Sequence, residues 1–280
     1  MHDKALVLEQ YGTKKHLQTR INIHNLYSQA PFSFTQWALN QISLSGSEKA
    51  LDAGCGSGGW LFPLAERLSQ NGGSVVGLDL SEGMLAGIQA QASRYSNVEL
   101  KVGDVQKLPF RDDSFYLVMA NFMLYHVPDI EIAVRELKRV LKPGGQLIAA
   151  TSSQSSMSVL WDIHLACQRK AGIEEKIVLR SVPTMRFSLE NGSDFLRPHF
   201  DWFESKLLYD VLKFKESQPL MDYYASLLMK RGDTEHEVSD EHWRKVYGLV
   251  RHQVDEIINQ QGCFSLPKTA GFFVACKVAN

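Results

Sequence analysis

Residues 50–59 carry the feature that most restricts the possible folds, a short apolar run containing one acid and followed by four closely spaced glycines. A helix-like stretch comes next, so the segment indicates a strand, a tight turn and a helix. Glycine suits such a turn because side chains would hold a ligand away from the backbone amides. Gly54, Gly56 and Gly59 also fit the dinucleotide fingerprint G-x-G-x-x-G. Asp52 argues against that interpretation, because an acid opposes a pyrophosphate and favours a ligand with positive charge.

Two further apolar runs end at carboxylates. Residues 74–79 close on Asp79, roughly one βαβ step after the first glycine, and residues 98–102 are followed by Gly103 and Asp104. Open α/β sheets keep their ligand crevice at the carboxyl ends of their strands, so these acids are expected at one site. Asp79 suits the two hydroxyls of a ribose, and Asp104 suits an amino-bearing base such as adenine.

Four motifs in this order resemble those of the class I S-adenosylmethionine-dependent methyltransferases and cover residues 48 to about 153. They are Asp52-Ala-Gly-Cys-Gly-Ser-Gly58, Asp79 ahead of Ser81-Glu-Gly-Met-Leu85, Gly103-Asp104-Val105 ahead of Leu108-Pro-Phe110, and Leu141-Lys-Pro-Gly-Gly145. The resemblance implies a Rossmann-like methyltransferase fold. This is a doubly wound, mostly parallel, seven-stranded α/β sheet with an antiparallel last strand and helical lid insertions.

The resemblance also implies a set of cofactor-binding residues for S-adenosyl-L-methionine. Gly54, Gly56 and Gly58 would lie along its methionine portion, Asp79 would hold the ribose, and Asp104 with Val105 would hold the adenine. Met84 would pack on the adenine face. The full predicted set is Asp52, Gly54, Gly56, Gly58, Asp79, Leu80, Met84, Asp104, Val105, Asn121 and Tyr27. No metal site is predicted.

Periodicity predicts a helical flap at residues 1–45 before the methyltransferase domain at residues 46–280. Strands are expected near 49–53, 74–79, 98–102, 115–121 and 146–151, with helices between them. Residues 201–214 and 272–278 are assigned to the final antiparallel pair that the resemblance implies. Helical insertions at about 156–200 and 216–262 would form a substrate lid, and Ser239 is a plausible N-cap for its last helix.

Composition indicates an ordinary enzyme with one large core. The 280 residues are 44% hydrophobic and carry a formal net charge of -1, which gives no broad attraction to nucleic acid or to an anionic membrane. No apolar stretch is long enough to span a bilayer and no leader sequence is visible, so a cytoplasmic location is expected. The four cysteines are scattered without a C-x-x-C pair, which favours free thiols.

The predicted activity is methyl transfer to O or N of a small, partly apolar metabolite by in-line displacement. His126, just beyond the fourth strand, is a candidate general base, although a role in ordering its loop or contacting the cofactor is the favoured interpretation. Asn121 could contact the methionine end or order the same loop. Two alternatives stay open: a protein that binds S-adenosylmethionine without methyl transfer, and an NAD-dependent oxidoreductase.

Several aromatic and polar residues have two possible roles. Tyr11, Tyr27 and Trp37 could close over the cofactor or pack in a core. His164 and Trp161 share one helix face, and Tyr223 and Tyr224 are adjacent, so only one of the two tyrosines can face a substrate. Glu190 is most simply part of a turn before a short helix, although its carboxylate could reach a substrate cation.

Overall fold

The computed structural model describes residues 14–172, 185–227 and 240–278. The roles predicted for Tyr11 and Ser239 lie outside these residues. The strands are β1 Lys49–Ala53, β2 Ser74–Asp79, β3 Val98–Val102, β4 Phe115–Met119, β5 Leu141–Ser152, β6 Trp202–Phe214 and β7 Phe264–Cys276. The helices are α1 Lys14–Tyr27, α2 Phe34–Asn40, α3 Leu61–Leu68, α4 Glu82–Ala92, α5 Ile130–Val140, α6 Ser158–Ala171, α7 Gly192–Leu196, α8 Ser217–Leu227 and α9 Asp240–Gln261.

The strands form one seven-stranded sheet in the order β3-β2-β1-β4-β5-β7-β6. Strands β1 to β5 pair in parallel, and β7 runs antiparallel to both of its neighbours, β5 and β6. The predicted α/β fold class is confirmed, including the antiparallel last strand. Because the carboxyl ends of β1 to β4 meet at one edge, Asp79, Asp104 and Asn121 are brought to the same side of the sheet.

Local sequence explains where the helices of this layer begin. Ser33, Ser81 and Asp129 are the N-caps of α2, α4 and α5, and each side chain accepts a hydrogen bond from a backbone amide in the first turn. In α5, apolar residues three and four positions apart are buried against the sheet, while charged residues face solvent. The helix that the sequence predicts between the fourth and fifth strands is therefore confirmed.

Strand β7 begins eight residues earlier than the predicted start at Phe272. Its first half contains Pro267 and Gly271, which weaken a strand pattern. This half pairs only with β6, because the pairing of β5 with β7 stops at Ser152 and Ala270. Beyond that point β6 and β7 continue as a two-stranded ribbon for about 20 Å, ending at Phe214 and Phe264.

A second apolar core lies outside the sheet layers, where α1, α6, α8 and α9 pack around the end of the ribbon. It includes fully buried residues from β6, β7, α8 and α9, namely Leu212, Phe214, Tyr224, Val250, Phe264 and Leu266. Helix α1 belongs to this core through Ile23, and Ser28 bridges to Leu212. The N-terminal helix and the late helices therefore form one structure beside the sheet edge. Their role as flap and lid stays a prediction.

Within the three described ranges, no helix is long and apolar enough to cross a bilayer. The cytoplasmic location stays a prediction.

Candidate functional site

The glycine loop after β1 is held against the end of β2. The amides of Gly54 and Cys55 both donate to the carbonyl of Leu78, at 2.7 and 3.0 Å. Gly54 has a φ of 75°, and a Cβ there would lie 2.9 Å from the side chain of Met123. A side chain at Gly54 would therefore be strained in its backbone and would collide with the loop after β4.

Gly58 serves a different purpose from Gly54. Its φ is 82°, and a Cβ would lie 2.3 Å from the ring of Phe62, so the glycine allows α3 to pack against the turn. Gly54 and Gly56 line the large cavity at the sheet edge, whereas Gly58 is outside its lining. The structure thus assigns close packing to Gly58, and its cofactor contact stays a prediction.

Asp79 ties the glycine loop to the start of α4. Its carboxylate accepts hydrogen bonds from the amides of Gly56 and Ser81, both at 2.9 Å. Burial raises the pKa of Asp79 above its ordinary value, although the amide hydrogen bonds oppose this shift. The two oxygens can accept further bonds, and the side chain lines the cavity, so it can receive the hydroxyls of a ribose.

Asp52 lies beneath the cavity instead of on its surface, with 1% of the residue exposed. Among the described residues its Oδ2 has no hydrogen-bond partner. Burial and the neighbouring Asp79 carboxylate raise the pKa of Asp52 to about 7. A buried carboxylate without a cation is destabilised, so this part of the site favours a positively charged ligand.

The residues predicted to surround an adenine come together beside Asp79. Leu80, Met84, Asp104 and Val105 all line the cavity, and Met84 and Val105 are buried. The Asp104 carboxylate accepts from the backbone amide of Gln106 at 3.0 Å, which fixes its orientation at the end of β3. These residues offer an apolar slot with an acidic edge, as an amino-bearing base requires.

The loop after β4 forms the boundary between this pocket and the rest of the cavity. Asn121 is buried, its Oδ1 accepts from the Ala150 amide at 3.2 Å, and its Nδ2 has no partner among the described residues. His126 lines the cavity at the end of a 3-10 turn, Leu124–His126, with its ring edge-to-face with Tyr125. Arg186 donates to the carbonyls of Tyr125, Val127 and Pro128, which holds the loop in place.

The cavity itself has a volume of about 1370 Å³, more than one cofactor-sized ligand occupies. Its far wall consists of α1, the segment before α2, α6, α8 and the ribbon of β6 and β7. Most side chains of this wall are apolar, among them Phe34, Met157, Leu160, Trp161 and Leu208. The space next to the acidic pocket is therefore a large apolar chamber closed by the helical layer.

The polar end of this chamber was not predicted from the sequence. Asp210 of β6 and Lys268 of β7 are directly paired across the ribbon, with the Lys268 Nζ 3.0 Å from an Asp210 oxygen. Lys268 also donates to Nδ1 of His24 at 3.2 Å, and Ser28 donates to Asp210 at 2.6 Å. The sequence does place one acid and one base within two otherwise apolar runs. They can be recognised as a pair only when the register of the two strands is known.

The structure shows which of the predicted aromatic candidates line the cavity and which pack elsewhere. Tyr27 lies outside the cavity lining and stacks on Phe214 with ring centroids 4.6 Å apart, and Trp37 packs against Phe272. Tyr223 lines the cavity, whereas Tyr224 is fully buried and hydrogen-bonds His164 in the helical core. The cofactor contact predicted for Tyr27 stays a prediction.

Glu190 is occupied within the protein. Its carboxylate accepts hydrogen bonds from the Ser153 hydroxyl and the Gln154 amide, which pins the turn before α7 to the end of β5. The predicted turn followed by a short helix is confirmed.

Cys55 is buried, and burial with the nearby Asp52 and Asp79 raises the pKa of its thiol well above the usual range, so it is a poor nucleophile.

Two buried polar atoms of the site that have no hydrogen-bond partner among the described residues match the charged groups of S-adenosylmethionine. The free Oδ2 of Asp52 matches an ammonium or a sulfonium, and the free Nδ2 of Asn121 matches a carboxylate. Both lie at the ends of neighbouring strands, β1 and β4, next to the glycine loop. These two residues fit the charged methionine portion, and Asp79 with Asp104 fits the nucleoside. In the described ranges no three His, Cys, Asp or Glu side chains come together as a metal site.

The sheet order, the antiparallel β7 and the acids at the strand ends define the fold class of S-adenosylmethionine-dependent methyltransferases of class I. A family model described as "Methyltransferase domain" matches residues 51–149. Over these residues the chain is similar to the methyltransferases of class I that use S-adenosylmethionine.

Known proteins are similar to this chain in sequence or in fold. A demethylmenaquinone methyltransferase of Staphylococcus haemolyticus (strain JCSC1435) is 40% identical over 126 residues, which are 45% of this chain and 52% of that protein. The chain thus spans about half the length of the curated relatives it matches. The YcgJ protein of Bacillus subtilis has a similar fold, with a TM-score of 0.57, 20% identity, and coverage of 88% of this chain and 98% of that one.

A third similar structure is a phosphoethanolamine N-methyltransferase 2 of Haemonchus contortus, in complex with phosphomonomethylethanolamine and S-adenosylhomocysteine. Its TM-score is 0.60 at 17% identity, and the match covers 98% of this chain and 59% of that one. At this identity the likeness concerns the fold alone.

Proposed function

We propose that this protein transfers a methyl group from S-adenosylmethionine to O or N of a small, partly apolar acceptor. The observation that carries the proposal is the acidic end of the cavity, where Asp79 and Asp104 line the wall beside the glycine loop and the buried Asp52 carboxylate lies beneath it, next to an apolar chamber. The curated relatives are named for one small-molecule acceptor, demethylmenaquinone, which supports an acceptor of that size class here.

The proposed binding roles follow from the pocket. Asp52 and Asn121 hold the methionine portion, Asp79 holds the ribose hydroxyls, and Asp104 orients the base. Leu80, Met84 and Val105 form the apolar slot for the adenine. The acidic end thus binds a cationic nucleoside by charge and by shape.

When bound, S-adenosylmethionine supplies a methyl carbon on a sulfonium with its leaving group attached. The protein then needs mainly to align the acceptor and to exclude water, and such positioning can lower a barrier by roughly 7 to 11 kcal/mol. The wall of α1, α6 and α8 encloses the chamber, and Phe34 contacts Trp60 and Phe122 between the two compartments. These elements would keep the acceptor beside the cofactor pocket and shield it from solvent.

Binding and transfer can be tested separately on the whole chain. In calorimetry we expect S-adenosylhomocysteine to bind and NAD not to bind, and we expect labelled methyl groups to pass from S-adenosylmethionine into a small-molecule extract. Binding without transfer to any extract would support the non-methylating alternative. Binding of NAD in place of S-adenosylhomocysteine would overturn the cofactor assignment.

His126 is proposed as the general base for a protonated acceptor. It lines the cavity in the loop that Arg186 holds against the end of β4, which is where the acceptor must approach the methyl group. We expect His126→Ala to lower kcat by about 10²-fold or more and to flatten the acidic limb of the pH profile. The measurement uses the acceptor fraction identified in the transfer assay.

The control for this variant is His252→Ala, which removes an exposed imidazole from α9, far in sequence from the loop. It should leave kcat and its pH dependence unchanged. Undiminished turnover of His126→Ala between about pH 6 and 9, an interval around the usual pKa of histidine, would remove the base role.

A further inference from the structure

The two ends of the cavity differ in charge. The cofactor end is lined by the carboxylates of Asp79 and Asp104, with Asp52 buried beneath them. The far wall carries two cations, Arg20 and Lys268, and two carboxylates, Asp162 of α6 and Asp210 of β6. A cationic ligand is favoured at the first end, whereas the second end can bind an anionic group at a cation that faces the cavity.

The pair of Asp210 and Lys268 is buried in an apolar surface. The side chains are 3% and 13% exposed, and the next pair on the same face of the ribbon, Leu212 with Leu266, is fully buried. Charged pairs in such places contribute little to stability, because desolvation offsets their attraction. The pair therefore calls for a role besides holding the two strands together.

Asp210 is saturated by the protein. Its oxygens accept from the Ser28 hydroxyl, from the amides of Gln29, Ala30 and Val211, and from Lys268. These bonds anchor the segment after α1 to the ribbon. Asp210 thus has little capacity left for a ligand, and it acts as a fixed counter-charge for Lys268.

Lys268 keeps a donor for the cavity. An ammonium has three N–H groups, and the described residues provide acceptors for two, namely Asp210 and Nδ1 of His24. The side chain lines the chamber. Burial and the adjacent ammonium lower the pKa of His24 to about 3, so its imidazole is neutral and accepts from Lys268. His24 and Asp210 together fix the direction of the Lys268 head group.

We propose that Lys268 is a specificity-determining residue that binds an anionic oxygen group on the acceptor, so that the chamber takes an organic acid with an apolar body. The proposal rests on the proposed function, since it deepens the description of the acceptor. The apolar wall of Met157, Leu160, Trp161 and Leu208 would hold the body, and the third N–H of Lys268 would hold the charged head. Arg20, from α1, adds positive charge to the same end.

Two fluorescent probes test this without any methyl transfer. The anion 1-anilinonaphthalene-8-sulfonate and the neutral N-phenyl-1-naphthylamine share one apolar body and differ by the sulfonate. For each probe we would measure the dissociation constant with the full-length protein by titration. Lys268→Met is expected to reduce the preference for the sulfonate by about fivefold or more and to leave binding of the neutral probe within about twofold.

The matched control is Lys213→Met, which removes the same charge from the exposed face of the same strand pair. It should keep the wild-type preference. Lys268→Arg should keep most of it, because the positive charge is retained. If Lys268→Met does not fold, Lys268→Gln, which can still donate to Asp210, must show the same loss.

The proposal would be overturned if Lys268→Met preferred the sulfonate probe over the neutral probe as strongly as Lys213→Met does. If Lys268→Met does not fold, the same comparison is made with Lys268→Gln. This outcome is distinct from failure of the proposed function, which would appear as absent binding of S-adenosylhomocysteine in calorimetry. The probe preference does not depend on that binding.

Discussion

Replacing Asp79 with alanine is expected to weaken binding of S-adenosylmethionine by about 1.5 to 3 kcal/mol, roughly 10- to 150-fold. In the structure the carboxylate accepts hydrogen bonds from the amides of Gly56 and Ser81. Its remaining lone pairs are proposed to accept from the ribose hydroxyls. Alanine removes both the ligand contact and the hydrogen bond that orders the glycine loop. Calorimetry at about pH 8, where the carboxylate is expected to be ionised, would measure the loss.

The matched control is Asp112→Ala, which removes a carboxylate that is 72% exposed and paired with Arg139. It should change affinity by less than about twofold, because surface ion pairs contribute little and the residue is outside the cavity lining. Thermal denaturation of both variants would show whether the Asp79 substitution acts through the fold. Unchanged affinity in a folded Asp79→Ala protein would exclude the ribose role.

The cofactor pocket could be predicted because its residues are adjacent in sequence to the strands that position them. Asp79 and Asp104 follow apolar runs, and the carboxyl ends of parallel strands share one edge. Gly54 and Gly56, which both adopt positive φ, form part of a motif that is visible in the sequence itself. Local signals of this kind are sufficient to locate the pocket when neighbouring parallel strands place their carboxyl ends at one edge, as they do here.

The polar end of the chamber, around Lys268, could not be predicted in the same way. Lys268 and Asp210 are far apart in sequence and become neighbours only through the antiparallel register of β6 and β7. His24 belongs to α1, 244 positions before Lys268, and reaches it because α1 packs against the second apolar core. The early start of β7 was missed for a related reason, because Pro267 and Gly271 hide a strand that has only one partner beyond Ser152.

Asp52 shows the difference between a motif and its environment. The sequence places an acid beside the glycines, but β1 lies between β2 and β4, so the side chain is covered and one oxygen is left without a partner among the described residues. The raised pKa means that ionising Asp52 destabilises the folded protein when no ligand is bound. The contribution of the protonated carboxyl to stability is complete below the ordinary pKa of 3.8 and is lost as the pH rises through about 7. A cationic ligand removes this destabilisation.

Affinity for S-adenosylmethionine is therefore expected to fall as the pH is lowered through about 7. In the free protein the pKa of Asp52 is about 7, and the ligand binds the ionised form. Below that pH a proton must be displaced, which weakens binding by up to about tenfold per pH unit for each proton released. Calorimetry between about pH 5.5 and 7.5, in two buffers of different ionisation enthalpy, would measure both the affinity and the proton release.

Asp52→Asn distinguishes the contribution of the Asp52 carboxylate to affinity from those of the other acids in the site. The amide has nearly the same shape but no charge, so affinity at about pH 7.5 should fall roughly tenfold through loss of the charge-assisted bond. The slope against pH should become shallower, because an asparagine at this position has no carboxyl proton for the ligand to displace. A pH slope in Asp52→Asn as steep as in the wild type would contradict the role of Asp52, since the proton released on binding would then come from another group.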